Sequence, residues 1–278
     1  MQSILVLTDF SDAAFHAARY AGMLSSVFKS KTLTLFHAYQ NIPAVINEPV
    51  VAAGWEDMHA ESLQTMEIWQ ESIRQFVDPS TNVTFLVDEV ELTKCVNAMC
   101  DEGQTDLVVM GITGKTNVER IFIGSNTMRV METIRYPLLV VPPNAADAAP
   151  KKVALATDLR EVRQKTNIPA LFKLLDALDA KLLVVNVDQR ERDVSKLMTE
   201  ITDLHEVLGR YSPEIHYINN TSANPSTIET IDAFVREHQV DIVVSLHERQ
   251  SALAALFRKS VSKKLAWHSQ VPLLMIPV

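Results

Sequence analysis

Apolar residues along this chain alternate between two regimes: short near-continuous runs, and longer stretches in which they return every third or fourth position. The short runs stand near residues 4–8, 32–37, 83–87, 107–110 and 138–141, and again near 153–156, 182–186, 215–218, 242–244 and 273–276. Val, Leu and Ile dominate them, which predicts strands buried on both faces, as in a parallel sheet. The stretches between them predict helices. Ala14, Ala17, Ala18, Ala21 and Leu24 make one i, i+3, i+4, i+7 stripe behind Ser11, a suitable N-cap, and their small side chains predict close packing on the sheet. Asn224-Pro225 reads as another N-cap, followed by proline at the first helical position. Regular alternation of strand and helix predicts an α/β fold with helices on both faces of a mainly parallel sheet.

The alternation occurs twice. Lys-Val-Ala-Leu-Ala-Thr-Asp at 152–158 repeats Ser-Ile-Leu-Val-Leu-Thr-Asp at 3–9 with an offset of 149. Asp241, Phe257, Ser260 and Pro272 repeat Asp106, Phe122, Ser125 and Pro137 with an offset of 135, so the first copy carries 14 extra residues. The chain of 278 residues therefore reads as two tandem domains, 1–143 and 151–278, each with five strands and its own core. Residues 144–150, small and polar, are the natural linker, and its shortness predicts that the copies touch.

Charge narrows the partners. The net charge is −8, with 9 Lys and Arg against 17 Asp and Glu in residues 1–143, and 17 of each in residues 144–278. That balance argues against a groove for nucleic acid. Arg249, Arg258, Lys259, Lys263 and Lys264 form a local basic cluster, read either as a solvated helix face or as an anion or partner site. No apolar run reaches the roughly 18 to 20 residues that span a bilayer, and Met1 leads straight into a strand, so a cytoplasmic protein without membrane contact is expected. Cys95 and Cys100 share a helical stretch with Leu92, Val96 and Met99 and lack CxxC spacing, so they read as small core residues.

The chemistry is concentrated in one loop. Of seven glycines, three are Gly111, Gly114 and Gly124, and they form a GxxG, nine-residue spacer, Gly-Ser signature directly behind the apolar run at 107–110. A strand, a loop without Cβ obstruction and Ser125 opening a helix together suit phosphate, since backbone N–H groups can surround it. The competing explanation is ordinary turn chemistry with a serine cap. The eight histidines show no metal-ligand spacing, and no nucleophile-elbow, Walker or zinc-hydrolase motif is present. His37, at a strand end, reads as structural. A binding module is therefore expected rather than an enzyme, with weak ATP hydrolysis left open.

Thr8-Asp9-Phe10-Ser11 after the first strand, with Met110-Gly111, Gly114 and Gly124-Ser125 after the fourth, resembles the universal stress protein family in its tandem, two-domain form. The resemblance implies flavodoxin-like or Rossmann-like domains of the adenine nucleotide alpha hydrolase-like kind. It also implies ATP or AMP held at this motif, with an accompanying Mg left open. Asp9 corresponds to the family's aspartate near the adenine, and Ala38 stands where the family often has a valine lining the base. Met110, Gly111, Gly114, Gly124, Ser125, Asn126 and Thr127 complete the expected site, and Lys115 is a candidate to add charge toward the phosphates. In the second copy Gly111, Gly114 and Gly124 become Leu246, Arg249 and Lys259, so one competent site per chain is expected, in the first copy.

The family's single-domain members commonly dimerise through the last strand. An internal pseudo-dimer through the strands near 138–141 and 273–276 is therefore implied, with a further homodimer and an unidentified protein partner open. The extra residues of the first copy fall around 39–55, which include Pro43, Pro49 and Gly54, and read either as a lid or partner loop or as a surface insertion. The alternative to nucleotide binding is a scaffold that uses the same fold for dimerisation and partner contacts. A nucleotidyl or phosphoryl transfer enzyme is a third possibility.

Overall fold

The computed structural model describes residues 1–39, 53–103, 105–112, 125–157, 159, 168–188, 194–219, 226–247 and 271–277. In the first half these are β1 (Ser3–Leu7), α1 (Asp12–Phe28), β2 (Thr32–Tyr39), α2 (Ala53–Arg74), β3 (Asn82–Glu89), α3 (Leu92–Asp101), β4 (Leu107–Gly111), α4 (Ser125–Thr133) and β5 (Leu138–Val141). The second half holds β6 (Lys152–Ala156), α5 (Ile168–Leu178), β7 (Lys181–Asp188), α6 (Val194–Leu208), β8 (Glu214–Asn219), α7 (Thr227–His238), β9 (Ile242–His247) and β10 (Leu273–Pro277). All ten apolar runs are strands.

The strands form one sheet in the order β3-β2-β1-β4-β5-β10-β9-β6-β7-β8. Within each set of five every pairing is parallel, and the sets join where β10 runs antiparallel to β5, Leu273 opposite Val140 and Met275 opposite Leu138. The halves thus share one sheet instead of each closing its own. Two apolar layers cover it. One gathers Ala17, Ala18 and Met66 of α1 and α2 with Leu174 and Leu204 of α5 and α6; the other gathers Val96 and Val130 of α3 and α4 with Ile228 and Phe234 of α7. Both layers run through both halves. This continuity explains why the 144–150 segment is held down: Ala145 is buried, and Asp147 pairs with Arg19 of α1.

Local signals account for the helix starts. Ser11 caps α1, its Oγ accepting the Ala14 N–H at 3.2 Å, and the alanine stripe behind it is buried. At α7 the cap is Ser226 and not Asn224, because Ser226 and Glu229 form a reciprocal capping box that begins the helix at Thr227. Residues 224 and 225 lie outside the described residues. Gly54, read as part of an irregular insertion, falls inside α2, which begins at Ala53. The remainder of that insertion, 40–52, is outside the described residues. The cysteines are free, and burial pushes the Cys100 thiol up to about 11, so both behave as packing residues.

The duplication extends to individual bonds. Asp106 Oδ2 accepts the Gln2 and Ser3 N–H groups at 2.6 and 3.2 Å, and Asp241 Oδ2 accepts those of Lys151 and Lys152 at 2.8 Å each. Each aspartate, at the start of its fourth strand, pins the start of the first. At the other end Phe10 and Leu159, 149 apart, both adopt left-handed backbone, with φ of 62° and 63°. A bulky side chain rarely takes this conformation. In each copy a threonine two residues earlier supports it: Thr8 Oγ1 accepts the Phe10 N–H at 2.9 Å and Thr157 Oγ1 that of Leu159 at 3.3 Å. His37 and Asn186, again 149 apart, bond to the Thr8 and Thr157 carbonyls at 2.8 Å. The structural role expected of His37 is therefore visible.

Candidate functional site

In the first half the strand order reverses between β1 and β4, from which the chain proceeds outward to β2 and β3 on one side and to β5 on the other. Beyond the carboxyl ends of strands at such a point a parallel sheet leaves a crevice. A cavity of about 180 Å³ lies there, lined by Leu7, Thr8, Asp9, Ser11, Ala14, Ala38, Leu92, Met110, Gly111, Ser125, Asn126 and Thr127. Seven of the nine residues selected from the sequence are among them: Asp9, Ala38, Met110, Gly111, Ser125, Asn126 and Thr127. Gly114 and Gly124 lie outside the described residues, as does Lys115.

Each wall has a local cause. Left-handed Phe10 turns the chain sharply after β1 and leaves Asp9 exposed at the crevice. One carboxylate oxygen of Asp9 is already engaged, since Oδ1 accepts the Ser11 N–H at 3.1 Å and its hydroxyl at 2.6 Å. Oδ2 is the oxygen left for a ligand. On β2, alternation sends Ala38 to the α3 and α4 side while Tyr39 packs on the α1 and α2 side. There Phe10 lies 4.3 Å from the His37 ring and 5.7 Å, edge on, from Trp69, so an aromatic cluster backs the strand ends.

Gly111 has a reason the sequence did not show. A Cβ at this position would lie 2.3 Å from the Ala13 carbonyl oxygen and 2.6 Å from its carbon. Its bareness serves the packing of β4 against the start of α1, whatever ligand the crevice takes. Ser125 and Asn126, by contrast, are exposed at the start of α4, where first-turn N–H groups and the helix dipole favour an anion. Thr127 is buried beneath them.

A second cavity of about 300 Å³ adjoins the first through Ala38, Leu92, Ser125 and Asn126, and is completed by Val90, Glu91, Thr93 and Arg129. Glu91 caps α3. Its Oε1 accepts from the Thr93 hydroxyl and from the Thr93 N–H at 3.3 Å, and Oε2 from the Lys94 N–H at 3.2 Å. The Thr93 hydroxyl bond, ahead of the amide bonds, holds the carboxyl below its usual range. Leu92 and Thr8 escaped the sequence reading as cavity residues: one looked like a helix-face apolar residue, the other like the end of a strand. Among the described residues no group of three or more His, Cys, Asp or Glu side chains is placed to hold a metal ion. No described helix is long and apolar enough to cross a membrane.

Comparison with known proteins places the chain in a family. The model of the universal stress protein family matches residues 1–142. A universal stress protein of Methanocaldococcus jannaschii is 26% identical over 148 residues, covering 50% of this chain and 81% of its own length. The crystal structure of a universal stress protein from Archaeoglobus fulgidus superposes with a TM-score of 0.71 over 99% of this chain and 96% of that one, at 14% identity. A functionally unknown protein of Pseudomonas aeruginosa does so with a TM-score of 0.60 over 100% and 92%, at 13% identity. At such identities the structural likeness shows the fold alone. The family match spans more than half of the 278 residues, and the chain belongs to the universal stress protein family.

Proposed function

We propose that this stress-response protein binds an adenine nucleotide, ATP or AMP, at one site in its first half. The observation that carries this reading is the convergence of Asp9, Ala38, Met110, Gly111 and the start of α4 on one crevice at the strand-order reversal. The residues fit such a ligand. Leu7, Ala38, Leu92 and Met110 supply an apolar floor for a base, Asp9 Oδ2 an acceptor for an exocyclic amine, and α4 a first turn for a phosphate. Gly114 and Gly124 belong to the proposed site by their motif spacing. The second half, with Leu246 in place of Gly111, serves as the supporting partner, and the boundaries 1–143 and 151–278 define the two proposed units.

Isothermal titration of the purified chain with ATP and AMP tests the site. Micromolar binding that is lost in Asp9→Ala and in Gly114→Arg, with melting temperatures unchanged, is the expected result. No binding at millimolar nucleotide would leave the fold as a scaffold for partner contacts.

A further inference from the structure

The larger cavity contains a charge that the smaller one lacks. Among the described residues lining the two, Asp9, Glu91 and Arg129 are charged, and Arg129 is the one cation. It stands one helical turn after Ser125 on α4, exposed, and makes no ion pair among the described residues. Glu91, across the cavity, makes no ion pair with it: both of its carboxylate oxygens accept from the first turn of α3. Ser125 and Asn126 line both cavities. A phosphate seated on the first turn of α4 therefore has the larger cavity beyond it, with Arg129 at its wall.

We infer that the larger cavity receives the outer phosphates of a nucleoside polyphosphate and that Arg129 is the residue separating such a ligand from a nucleoside monophosphate. This rests on the adenine-nucleotide reading of the crevice. The chemistry follows from what each cavity offers. A monophosphate is served by α4's N–H groups, in the cavity whose only charged side chain among the described residues is the acidic Asp9. Each further phosphate adds charge that the helix start does not neutralise, and a guanidinium offers a planar fork of donors matched to phosphate oxygens. Arg129 is a specificity residue in this scheme, and the base and first phosphate do not depend on it.

The test is calorimetric titration of AMP, ADP and ATP into the wild-type chain, Arg129→Gln and Arg129→Lys, with the melting temperature of each. Wild type is expected to bind ATP about tenfold more tightly than AMP, the scale of one solvent-exposed charge-assisted contact. Arg129→Gln should reduce that ratio to about two or less through ATP alone, leaving AMP affinity unchanged. Arg129→Lys should restore part of the ratio, since it keeps the charge and loses the fork. Equal loss of AMP and ATP binding in Arg129→Gln would assign Arg129 to the helix itself and overturn the inference, as would an unchanged ratio. In both of those cases the nucleotide site stands. Absence of any nucleotide binding by the wild type would overturn the site and the inference together.

Discussion

Gly111, the last residue of β4, lies so close to Ala13 that a single added carbon would meet the Ala13 carbonyl oxygen at 2.3 Å. The contact is backbone on the Ala13 side, so no rotamer change relieves it. Gly111→Ala must therefore push α1 from the strand ends, and because Ser11 and Asp9 sit on the same turn, the crevice moves with it. The expected cost is about 1 to 3 kcal/mol, read as a lower midpoint in urea at unchanged slope. A loss of nucleotide binding in this variant reports on packing, which makes Gly114 and Asp9 the better probes of contact.

Gly111 could be picked out by spacing, but spacing does not tell a glycine facing a ligand from one facing a helix. The central strands were legible because burial on both faces leaves an unbroken apolar run, as at Leu107, Val108, Val109 and Met110, whereas the edge strands β3 and β8 are only partly buried. The start of α7 was misplaced by two residues because Asn224-Pro225 and Ser226 both carry cap chemistry, and the reciprocal bond of Glu229 decides between them. Arg129 had no motif to announce it. Its place beside Ser125 follows only once α4 is a helix and the α3 cap is known to occupy Glu91.

The threonines before the two left-handed residues give a paired prediction. Thr8→Val and Thr157→Val keep the shape and remove the oxygen that accepts the Phe10 or Leu159 N–H. Each should cost about 1 kcal/mol, and because the turns lie in different halves the double variant should cost the sum. Only Thr8→Val should also weaken nucleotide binding, since Thr8 lines the crevice. Denaturant titration of the three variants, with ATP titration beside it, measures both effects. Equal weakening of binding by Thr157→Val would contradict a single site in the first half.

Asp106 and Asp241 should matter through the backbone groups they hold and much less through ion pairing. Lys173 reaches Asp106 Oδ1 at 3.2 Å, but both groups are partly exposed, and pairs of this kind contribute about 1 kcal/mol or less. Burial raises the Asp106 pKa, yet the Gln2 N–H, the Lys173 ammonium and the Ser3 N–H together bring it below the usual value. A carboxylate with a lowered folded pKa contributes stability above its unfolded pKa and loses it as pH falls through the folded one, so this contribution disappears below about pH 4. Asp106→Ala should cost roughly 1 to 2 kcal/mol at pH 7 by stranding two N–H groups, and Lys173→Ala less than half as much. Thermal melts at pH 7 and pH 3 check both: the penalty of Asp106→Ala should shrink in acid.

At the position where α3 has Asn97, α7 has Asp232, 135 residues later, and the change of one atom reverses the balance of the site. Asn97 donates from Nδ2 to the Thr93 and Thr133 carbonyls at 3.0 and 3.2 Å and accepts the Arg135 N–H on Oδ1 at 3.1 Å, which ties α3 to α4 and to the start of β5. Asp232 is equally well placed for packing, only 4% exposed, but its Oδ1 has no hydrogen-bond partner. Burial, with the Glu229 charge added and the Arg236 charge opposing, pushes its carboxyl up to about 7. The folded protein therefore holds a proton that the unfolded chain releases near pH 4, so the neutral acid is tolerated below that point and stability is lost as pH rises through 7. Asp232→Asn removes the ionisation. It should stabilise the chain by about 1 kcal/mol above pH 8, a few degrees in Tm, and by much less at pH 5. The measurement is the difference in Tm between variant and wild type across that range, in which the histidines common to both cancel. A difference that stays constant with pH would mean that Asp232 does not titrate in the folded protein near neutrality.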